Sequence, residues 1–370
     1  MDHLFETEDG EDYVFSWTGT IEGIPTDYRN TGGSQGTQVL VCPDPLVGVF
    51  IGARGHSTPM EFNVFTPTFS ADSPPHLLYT FHLPKCLGAA SCAAFTCPLT
   101  RDGRPALVVA CGLYRDLHLV DIFERKHYGC LMPGEDFGFP AGVASKDSLV
   151  AIATRLKYET SPSIVLLQYQ DDKWTRFRHI AIPPSHEWWS PASLTIRQTA
   201  PVPHLAFLCR RICNLVTVSD LVTVRVPTEH FRQFTATASS LEESREVAWM
   251  HLSSTVRVSI QCSAFGFTCT IANWDHKPIG HVFAVPGSDF GGATSLPRGG
   301  VLIVSNTREK CPEQFSLLTT AREARMAHMS ALRVAWIGVV VRGVWRRKLR
   351  AAAAAPLAPL RRTRSRHHAP

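Results

Sequence analysis

The chain has 370 residues, of which 44% are hydrophobic and 19% are charged, and its formal net charge is +5. This balance is typical of a globular protein and excludes a wholly disordered chain, while the length allows one large repeat domain or two ordinary domains. The 11 cysteines are odd in number, and several lie inside apolar runs, as Cys42 and Cys111 do. They are predicted to be buried free thiols of a cytoplasmic protein.

The first 36 residues are predicted to form an acidic segment ahead of the folded body. Residues 1–12 hold six acidic residues and no Lys or Arg. A secretory signal needs a basic start followed by an apolar stretch, so we expect a cytoplasmic location. The glycines between Gly32 and Gly36 lack the strand and helix that flank a phosphate-binding loop, and they are interpreted as a flexible link.

Residues 37–318 repeat one short pattern of strand, polar turn, strand, loop and strand. The two closest copies start at Gly142 and Gly292, and a looser copy starts at Cys92. Repetition of a small antiparallel unit is typical of a β-propeller, in which each blade buries its faces against its neighbours. We therefore predict an all-β propeller of about six four-stranded blades. The second strands of the blades are expected near Val47, Leu107, Leu149, Leu205, Val247 and Leu302.

The closest copies also carry a family resemblance. The run Phe139 to Ala144 with Leu149 to Ala153, and its echo from Gly292 to Ser305, resembles the NHL-repeat type of six-bladed propeller. The Asn-His-Arg that this family places after the second strand is absent, and residues 306–308 are the nearest approach. Trp274-Asp275 is similar to part of a WD-repeat blade, which is the weaker option. Either resemblance implies a binding platform.

Few residues of the body suggest chemistry. The 16 histidines form no H-E-x-x-H, and neither Cys92 with Cys97 nor Cys209 with Cys213 has a second ligand pair nearby, so no metal and no cofactor is expected. No hydrolase elbow or phosphate loop is present. The loop at residues 186–189, His-Glu-Trp-Trp, either covers a blade edge or places acid and base groups near the channel. The second reading leaves a lactonase-like or other hydrolytic propeller as the alternative function.

The C-terminal region differs from the body in charge. Residues 321–370 hold 11 Arg and one Lys against one Glu, a net charge of +11, which leaves −6 for residues 1–320. We predict a basic helix over residues 319–355, ended by Pro356, and a disordered Arg/His-rich tail over 356–370. Within the predicted helix, Ile337, Arg342, Gly343 and Arg347 match the spacing of an IQ motif, although Gly338 replaces its Gln. This resemblance implies a calmodulin-like partner.

The predicted helix offers apolar anchors beside basic residues, which suits an acidic groove. The predicted partner-binding residues are Trp336, Ile337, Arg342, Gly343, Trp345, Arg346, Arg347 and Lys348. Two other interpretations remain open, namely a helix packed on the propeller and a helix on an anionic membrane surface. The uninterrupted apolar run from Val334 to Val341 is too short to span a bilayer. Overall the sequence predicts a monomeric, non-enzymatic scaffold with a protein partner on the propeller face, and nucleic acid is not expected as a partner.

Overall fold

The computed structural model describes the chain from residue 13 to residue 325, apart from short segments. Residues 1–12 and 326–370 lie outside the described part. The intervening segments outside it are 29–36, 56–57, 70–72, 88–89, 97–103, 112–115, 133–138, 147, 156–161, 171–172, 182–189, 200–201, 214–215, 227–229, 241–243, 252–255, 264–265, 274–277, 286–288, 298 and 308.

The described residues form 24 β-strands. The first half of the chain contains β1 (Tyr13–Gly19), β2 (Gln38–Pro43), β3 (Leu46–Gly52), β4 (Pro59–Phe65), β5 (Leu77–Leu87), β6 (Ala90–Thr96), β7 (Ala106–Cys111), β8 (Asp116–Asp121), β9 (Lys126–Met132), β10 (Phe139–Lys146), β11 (Leu149–Arg155), β12 (Pro162–Gln170) and β13 (Lys173–Ala181). The second half contains β14 (Ser190–Thr199), β15 (Val202–Cys213), β16 (Val216–Arg225), β17 (His230–Ser240), β18 (Ser244–His251), β19 (Val256–Ser263), β20 (Gly266–Asn273), β21 (Pro278–Val285), β22 (Asp289–Ser295), β23 (Val301–Asn306) and β24 (Gln314–Thr320).

These strands build a closed propeller of six four-stranded antiparallel blades. Blades 1 to 5 each use four consecutive strands, starting from β2, β6, β10, β14 and β18. Blade 6 joins β22, β23 and β24 to β1, which supplies its outer strand. The inner strands contact one another in a complete circle, β2 to β6, β10, β14, β18, β22 and back to β2. The predicted fold class is therefore confirmed.

The alternation of strand direction places the connections on two opposite faces. One face carries, in each blade, the turn between the first and second strands and the turn between the third and fourth strands. We call it the lower face. The upper face carries the loops from second to third strand and the connections between blades. The segment from residue 20 to residue 37 joins β1 to β2 and therefore connects blade 6 to blade 1, and its Glu22 forms an isolated bridge with His76 just before β5.

The core lies in the seams between the blades. Five described clusters of buried apolar side chains each span two neighbouring blades, at the seams 1–2, 2–3, 3–4, 5–6 and 6–1. The second strands β7 and β23 are buried along their whole length, because a neighbouring blade covers each face. This burial explains why these strands are continuous apolar runs rather than alternating ones.

The structure moves three of the predicted boundaries. Residues 13–19 fall in the predicted acidic segment 1–36, yet β1 belongs to blade 6. Val247 lies in β18, the inner strand of blade 5, whose second strand begins at Val256. Both strands of that hairpin contain apolar residues, from Val247 to Met250 in β18 and at Val256, Val258 and Ile260 in β19, and blade spacing does not distinguish them. The C-terminal helix is predicted to begin at residue 319. Residues 319 and 320 instead belong to the end of β24, and a helical turn follows over 321–325. The rest of the predicted helix, 326–355, lies outside the described residues.

In the part of the chain that the structure describes, no helix has the length and apolar character needed to span a bilayer.

Candidate functional site

A group of polar side chains on the upper face joins blade 6 to blade 1. The linker after β1 brings Asp27 and Tyr28 beside Arg54, which follows β3, and Glu61 in β4. Arg54 Nη1 lies 2.6 Å from Asp27 Oδ2, and its Nε lies 2.9 Å from Glu61 Oε1. The Tyr28 hydroxyl donates a hydrogen bond to Glu61 Oε2 at 2.8 Å. Three separate segments are thus tied together at this seam.

The same hydrogen-bond chain continues into the buried part of blade 1. Asn63 is fully buried and donates through Nδ2 to Tyr28 Oη at 2.7 Å and to the Phe50 carbonyl oxygen at 3.3 Å. Thr80 donates to Asn63 Oδ1 at 2.8 Å. Burial raises the pKa of the Tyr28 hydroxyl far above its usual value, so the hydroxyl keeps its proton. We call Asp27, Tyr28, Arg54, Glu61, Asn63 and Thr80 the seam network.

The seam network holds the linker against blade 1 and offers no reactive group. Its carboxylates, amide and hydroxyls satisfy one another, which is the usual state of a structural polar cluster. Two backbone hydrogen bonds reinforce the same seam, from Tyr28 N to Cys311 O at 3.1 Å and from Cys311 N to Thr26 O at 2.8 Å. Thr37 adds a bond from its Oγ1 to the Gly291 carbonyl oxygen at 2.6 Å. The linker is therefore fastened to both blades.

A pair of histidines lies on the two outermost strands of blade 2. His118 Nδ1 is 2.9 Å from His127 Nε2, and the centres of the two rings are 5.0 Å apart. His118 is buried. A metal site needs at least a third ligand, and no group of three or more His, Cys, Asp or Glu residues suited to a metal occurs among the described residues. The pair therefore gives no support to metal chemistry at this position.

An ordered turn lies on the lower face at the seam between blades 1 and 2. It spans residues 122–125, between β8 and β9, and Asp121 Oδ1 accepts hydrogen bonds from the backbone N–H groups of Phe123 and Glu124 at 2.8 and 3.0 Å. The last residue of the turn, Arg125, has a φ of 57°. This left-handed conformation favours Gly, Asn or Asp, so an Arg here costs conformational energy.

The turn stacks its cations on aromatic rings. The guanidinium carbon of Arg125 lies 4.2 Å from the centre of the Tyr79 ring in β5, and Lys126 Nζ lies 5.3 Å from the centre of the Tyr128 ring. Arg104 lies similarly over Phe123, at 5.5 Å. Such contacts contribute about 0.5–1 kcal/mol each at exposed sites. They fix the direction in which each long side chain presents its charge.

The aromatic rings are themselves held by hydrogen bonds. Tyr79 Oη donates to the Ile122 carbonyl oxygen at 3.1 Å, which ties β5 of blade 1 to the turn of blade 2. Tyr128 Oη donates to Asp121 Oδ2 at 3.1 Å. Burial raises the pKa of Tyr128 to about 12, and the Asp121 carboxylate adds to the shift. Both rings therefore stay neutral and oriented at ordinary pH.

Three exposed side chains of the β8–β9 hairpin form what we call the basic turn patch, namely Arg125, Lys126 and Tyr128. The Tyr128 ring is 39% exposed. Among the described residues, neither Arg125 nor Lys126 forms an ion pair. The patch therefore presents two cations and an aromatic ring on an exposed turn that also carries Glu124.

The sequence-predicted binding residues lie elsewhere in the chain. Trp336, Ile337, Arg342, Gly343, Trp345, Arg346, Arg347 and Lys348 all lie outside the described residues. The His-Glu-Trp-Trp loop at 186–189 and the Trp-Asp pair at 274–275 also lie outside them. The calmodulin-like interaction, the catalytic alternative and the choice between NHL and WD repeats therefore stay predictions.

The structure adds a site that the sequence analysis did not single out. The run from Phe123 to Tyr128, Phe-Glu-Arg-Lys-His-Tyr, contains the signal, because it interleaves basic and aromatic residues across a hairpin turn. The sequence does not reveal that Tyr79, from the previous blade, lies beneath Arg125. That contact depends on how two blades pack.

The predicted burial of the cysteines is confirmed for those whose side chains the structure describes. Cys42, Cys92, Cys111, Cys269 and Cys311 are buried, and none of these five forms a disulfide bond. Burial raises the pKa of the Cys92 thiol far above its usual value, and it raises that of Cys311 to about 12, where a hydrogen bond with Thr37 opposes the shift. Thiols held in this state are poor nucleophiles and poor metal ligands.

No protein-family model matches this chain, and no curated protein matches it. Solved structures of low identity are similar to it. The hydrazine synthase of Kuenenia stuttgartiensis is 14% identical, with a TM-score of 0.46 and 77% of each chain covered. The WD40 β-propeller domain of Doa1 is 11% identical, with a TM-score of 0.43, over 82% of this chain and 98% of that one.

A streptogramin B lyase structure is 8% identical, with a TM-score of 0.47, over 86% of this chain and 98% of that one. Similarities this distant say nothing about activity. The six-bladed fold assigned above rests on the strand order and the ring of contacts between inner strands of this chain itself.

Proposed function

We propose that this protein is a non-enzymatic scaffold that binds one protein through its propeller and a second, acidic protein through its basic C-terminal region. The observation that supports this proposal is the contrast between two kinds of polar cluster. The seam network satisfies its own charges. The basic turn patch holds Arg125 and Lys126 on an exposed turn, and within the described part of the chain neither forms an ion pair. Rigidly presented cations and aromatic groups are typical of recognition surfaces.

The C-terminal part of the proposal rests on the sequence. Residues 321–370 carry a net charge of +11, against −6 for the preceding 320 residues. Ile337 and Trp345 supply apolar anchors of the kind that fill the groove of a calmodulin-like protein, and Arg346, Arg347 and Lys348 supply charge for its acidic rim. This partner is preferred over an anionic membrane, because the IQ-like spacing of Ile337 and Arg347 has no role on a lipid surface.

A binding experiment with purified calmodulin tests the C-terminal part. We expect the full chain to bind calmodulin with or without calcium, and the double variant Ile337→Ala/Trp345→Ala to bind at least about tenfold more weakly, since each anchor contributes about 1.5–3 kcal/mol when buried. The control is Leu357→Ala/Leu360→Ala, which removes apolar groups just beyond the motif. Failure of the unaltered chain to bind contradicts this partner, and binding to acidic vesicles alone would favour the membrane.

A second experiment separates the scaffold from a propeller hydrolase. The purified chain is tested for turnover of a panel of lactones and esters, beside heat-denatured protein. We expect no turnover above the denatured control. Turnover that is lost in the variant His186→Ala/Glu187→Ala would show that the loop at 186–189 is catalytic, and the scaffold proposal would then be wrong.

A further inference from the structure

We infer that the His118–His127 pair is a pH-sensitive latch, which holds the outer hairpin of blade 2 closed at neutral pH and releases it in mild acid. The outer hairpin consists of β8 and β9, the third and fourth strands of the blade. This regulatory property goes beyond the scaffold function proposed above and does not depend on it.

Both rings face the seam between blades 1 and 2. Directly opposite residues of paired strands share a face. His118 lies opposite Val109 of β7, and His127 lies opposite Val120 of β8. Val109 and Val120 belong to the buried apolar cluster of that seam, together with Phe81 of β5. His118 is 4% exposed, whereas His127 is half-buried. The two rings therefore lie where blade 2 packs against blade 1.

The contact between the rings tolerates one added proton but not two. His118 Nδ1 lies 2.9 Å from His127 Nε2, so one nitrogen must donate a hydrogen and the other must offer a lone pair. A singly protonated pair still meets this condition, because a charged ring can donate to a neutral one. In a doubly protonated pair both nitrogens carry hydrogen and two positive charges face each other, so the contact breaks.

The second proton has to charge the buried ring. His127 is the more exposed of the two, so it holds the first proton, and its Nε2–H then donates to His118 Nδ1. Burial disfavours a charge on His118, and the charge already on His127 disfavours it further. The closed hairpin therefore takes up one proton where the two histidines of an open hairpin take up two, near pH 6.5.

The ionisable residues around this face of the seam add positive charge or none. Arg125 lies over the Tyr79 ring, and burial raises the pKa of Tyr79, so its hydroxyl stays neutral. Lys85 belongs to the same strand as Tyr79. β9 contributes Cys130 and β7 contributes the buried Cys111.

The neighbouring carboxylates do not compensate two charges. Asp121 is three residues from His118 in β8, which places it on the opposite face, across from Lys126. Its carboxylate accepts hydrogen bonds from the backbone of the turn. Glu124 is exposed within that turn. Asp116 lies two residues before His118, a spacing that repeats the face of a strand, and one carboxylate balances only one proton of the pair.

Mild acid should therefore weaken the outer hairpin. Below about pH 6.5 the open hairpin binds more protons than the closed one, so the free energy of opening falls as pH falls. With one proton on the closed pair and two on the open one, the opening equilibrium rises at least about tenfold between about pH 7 and pH 5. Above about pH 7.5 both forms are neutral, and the pair adds no pH dependence.

Amide hydrogen exchange of the full chain tests the latch. We expect the protection of peptides from β8 and β9, corrected for the intrinsic exchange rate at each pH, to fall at least about tenfold between about pH 7 and pH 5. Peptides from β23, which lies in blade 6 and is buried throughout, should keep their protection. An equal fall in both sets of peptides would show a global loss of stability, and the inference would be overturned.

Glutamine substitutions separate the pair from the burial of a single ring. Gln donates and accepts hydrogen bonds but carries no charge, so either His118→Gln or His127→Gln should reduce the fall in protection to less than about threefold. The matched control His82→Gln removes an exposed histidine of β5 and should keep the full fall. If His118→Gln removes the pH dependence and His127→Gln leaves it unchanged, burial of one ring is responsible and the inference is wrong.

A measurement on the unaltered chain does not rely on the stability of the variants. Exchange of the C2 proton of each histidine ring, followed by mass spectrometry across a pH series, gives the pH at which that ring takes up its proton. We expect His127 to titrate near about pH 6.5 and His118 to stay neutral until the hairpin opens. Titration of both rings above about pH 6 with unchanged amide protection would overturn the inference.

Discussion

Tyr13 pairs with Thr320 across the last blade, so the first strand of the chain lies beside the last one. The ring is closed by strand pairing between residues more than 300 positions apart, and blade 6 does not exist without β1. Closure removes the exposed sheet edge that β24 would otherwise present. It also makes a contact of very high sequence separation, which forms late when a chain folds.

Loss of the Tyr13 side chain should therefore destabilise the whole propeller. Tyr13 is 2% exposed and packs in the cluster that joins blades 5 and 6. We expect Tyr13→Ala to lower the free energy of unfolding by about 3–5 kcal/mol, as is usual for a buried aromatic residue. Urea denaturation followed by tryptophan fluorescence measures the loss. Leu46→Ala, at a side chain that is 43% exposed, is the control and should cost less than about 1 kcal/mol; equal losses would contradict the closure argument.

The Tyr28 hydroxyl should be the critical atom of the seam network. It accepts a hydrogen bond from Asn63 and donates one to Glu61, and both Tyr28 and Asn63 are buried. Tyr28→Phe keeps the ring but leaves the Asn63 amide with a single distant acceptor, so we expect a loss of about 1–3 kcal/mol. The control Tyr128→Phe removes a hydroxyl that lies near the surface. If both variants unfold at the same urea concentration, the seam network does not stabilise the ring.

The glycines of the sequence repeat occupy equivalent positions in two blades. Gly142 and Gly292 both follow a β-bulge in an inner strand. A Cβ on Gly142 would lie 3.2 Å from the backbone nitrogen of Leu194 in the next blade, and one on Gly292 would lie 3.5 Å from that of Val39. Neighbouring inner strands thus approach closely at these points. The repeat seen in the sequence reflects that close approach.

Substitution of Gly292 tests this explanation. Its φ is 148°, which favours glycine. We expect Gly292→Ala to destabilise the protein by about 1–2 kcal/mol through backbone strain. Gly55→Ala is the control, because a Cβ there meets no atom closer than 3.5 Å. Thermal unfolding of both variants measures the difference, and a control that is as unstable as Gly292→Ala would count against a special role for the repeat glycine.

The sequence predicts those parts of the fold that depend on local pattern. The apolar second strands at Leu107 and Leu302 are found where the pattern places them, because burial on both faces gives them a continuous apolar signature. The role of β1 is not predictable in the same way. Its partner β24 lies at the other end of the chain, and the acidic residues before Tyr13 make the segment resemble an appendage.

The candidate site is harder to predict than the fold for the same reason. Arg125 and Lys126 are visible in the sequence as an ordinary basic pair in a turn. Their significance arises from Tyr79, which another blade supplies, and from a positive φ that no residue pattern reveals. Sites built across a seam combine residues from distant parts of the chain, so sequence spacing carries little information about them.

Alkaline pH should weaken the propeller through its tyrosines. Burial raises the pKa of Tyr28 far above its usual value, raises that of Tyr79 in the same direction, and raises that of Tyr128 to about 12. An unfolded tyrosine loses its proton near pH 10. Above about that pH the unfolded chain therefore binds fewer protons than the folded chain, and the free energy of unfolding falls as pH rises. Below about pH 9 both states are protonated and these groups add no pH dependence.

Tyr28→Phe isolates the largest of these effects. The variant starts from a lower stability at neutral pH, but we expect its free energy of unfolding to fall less steeply than that of the unaltered protein between about pH 10 and pH 11. Urea denaturation at a series of pH values measures both slopes, and absorbance near 295 nm follows tyrosinate formation in the folded state. Tyr128→Phe serves as the comparison. Its pKa is also raised, to about 12, but the ring is 39% exposed and water screens its interactions, so we expect a smaller change of slope. A slope that Tyr28→Phe leaves unchanged would mean that Tyr28 ionises without opening the seam, and the burial argument for its raised pKa would then be wrong.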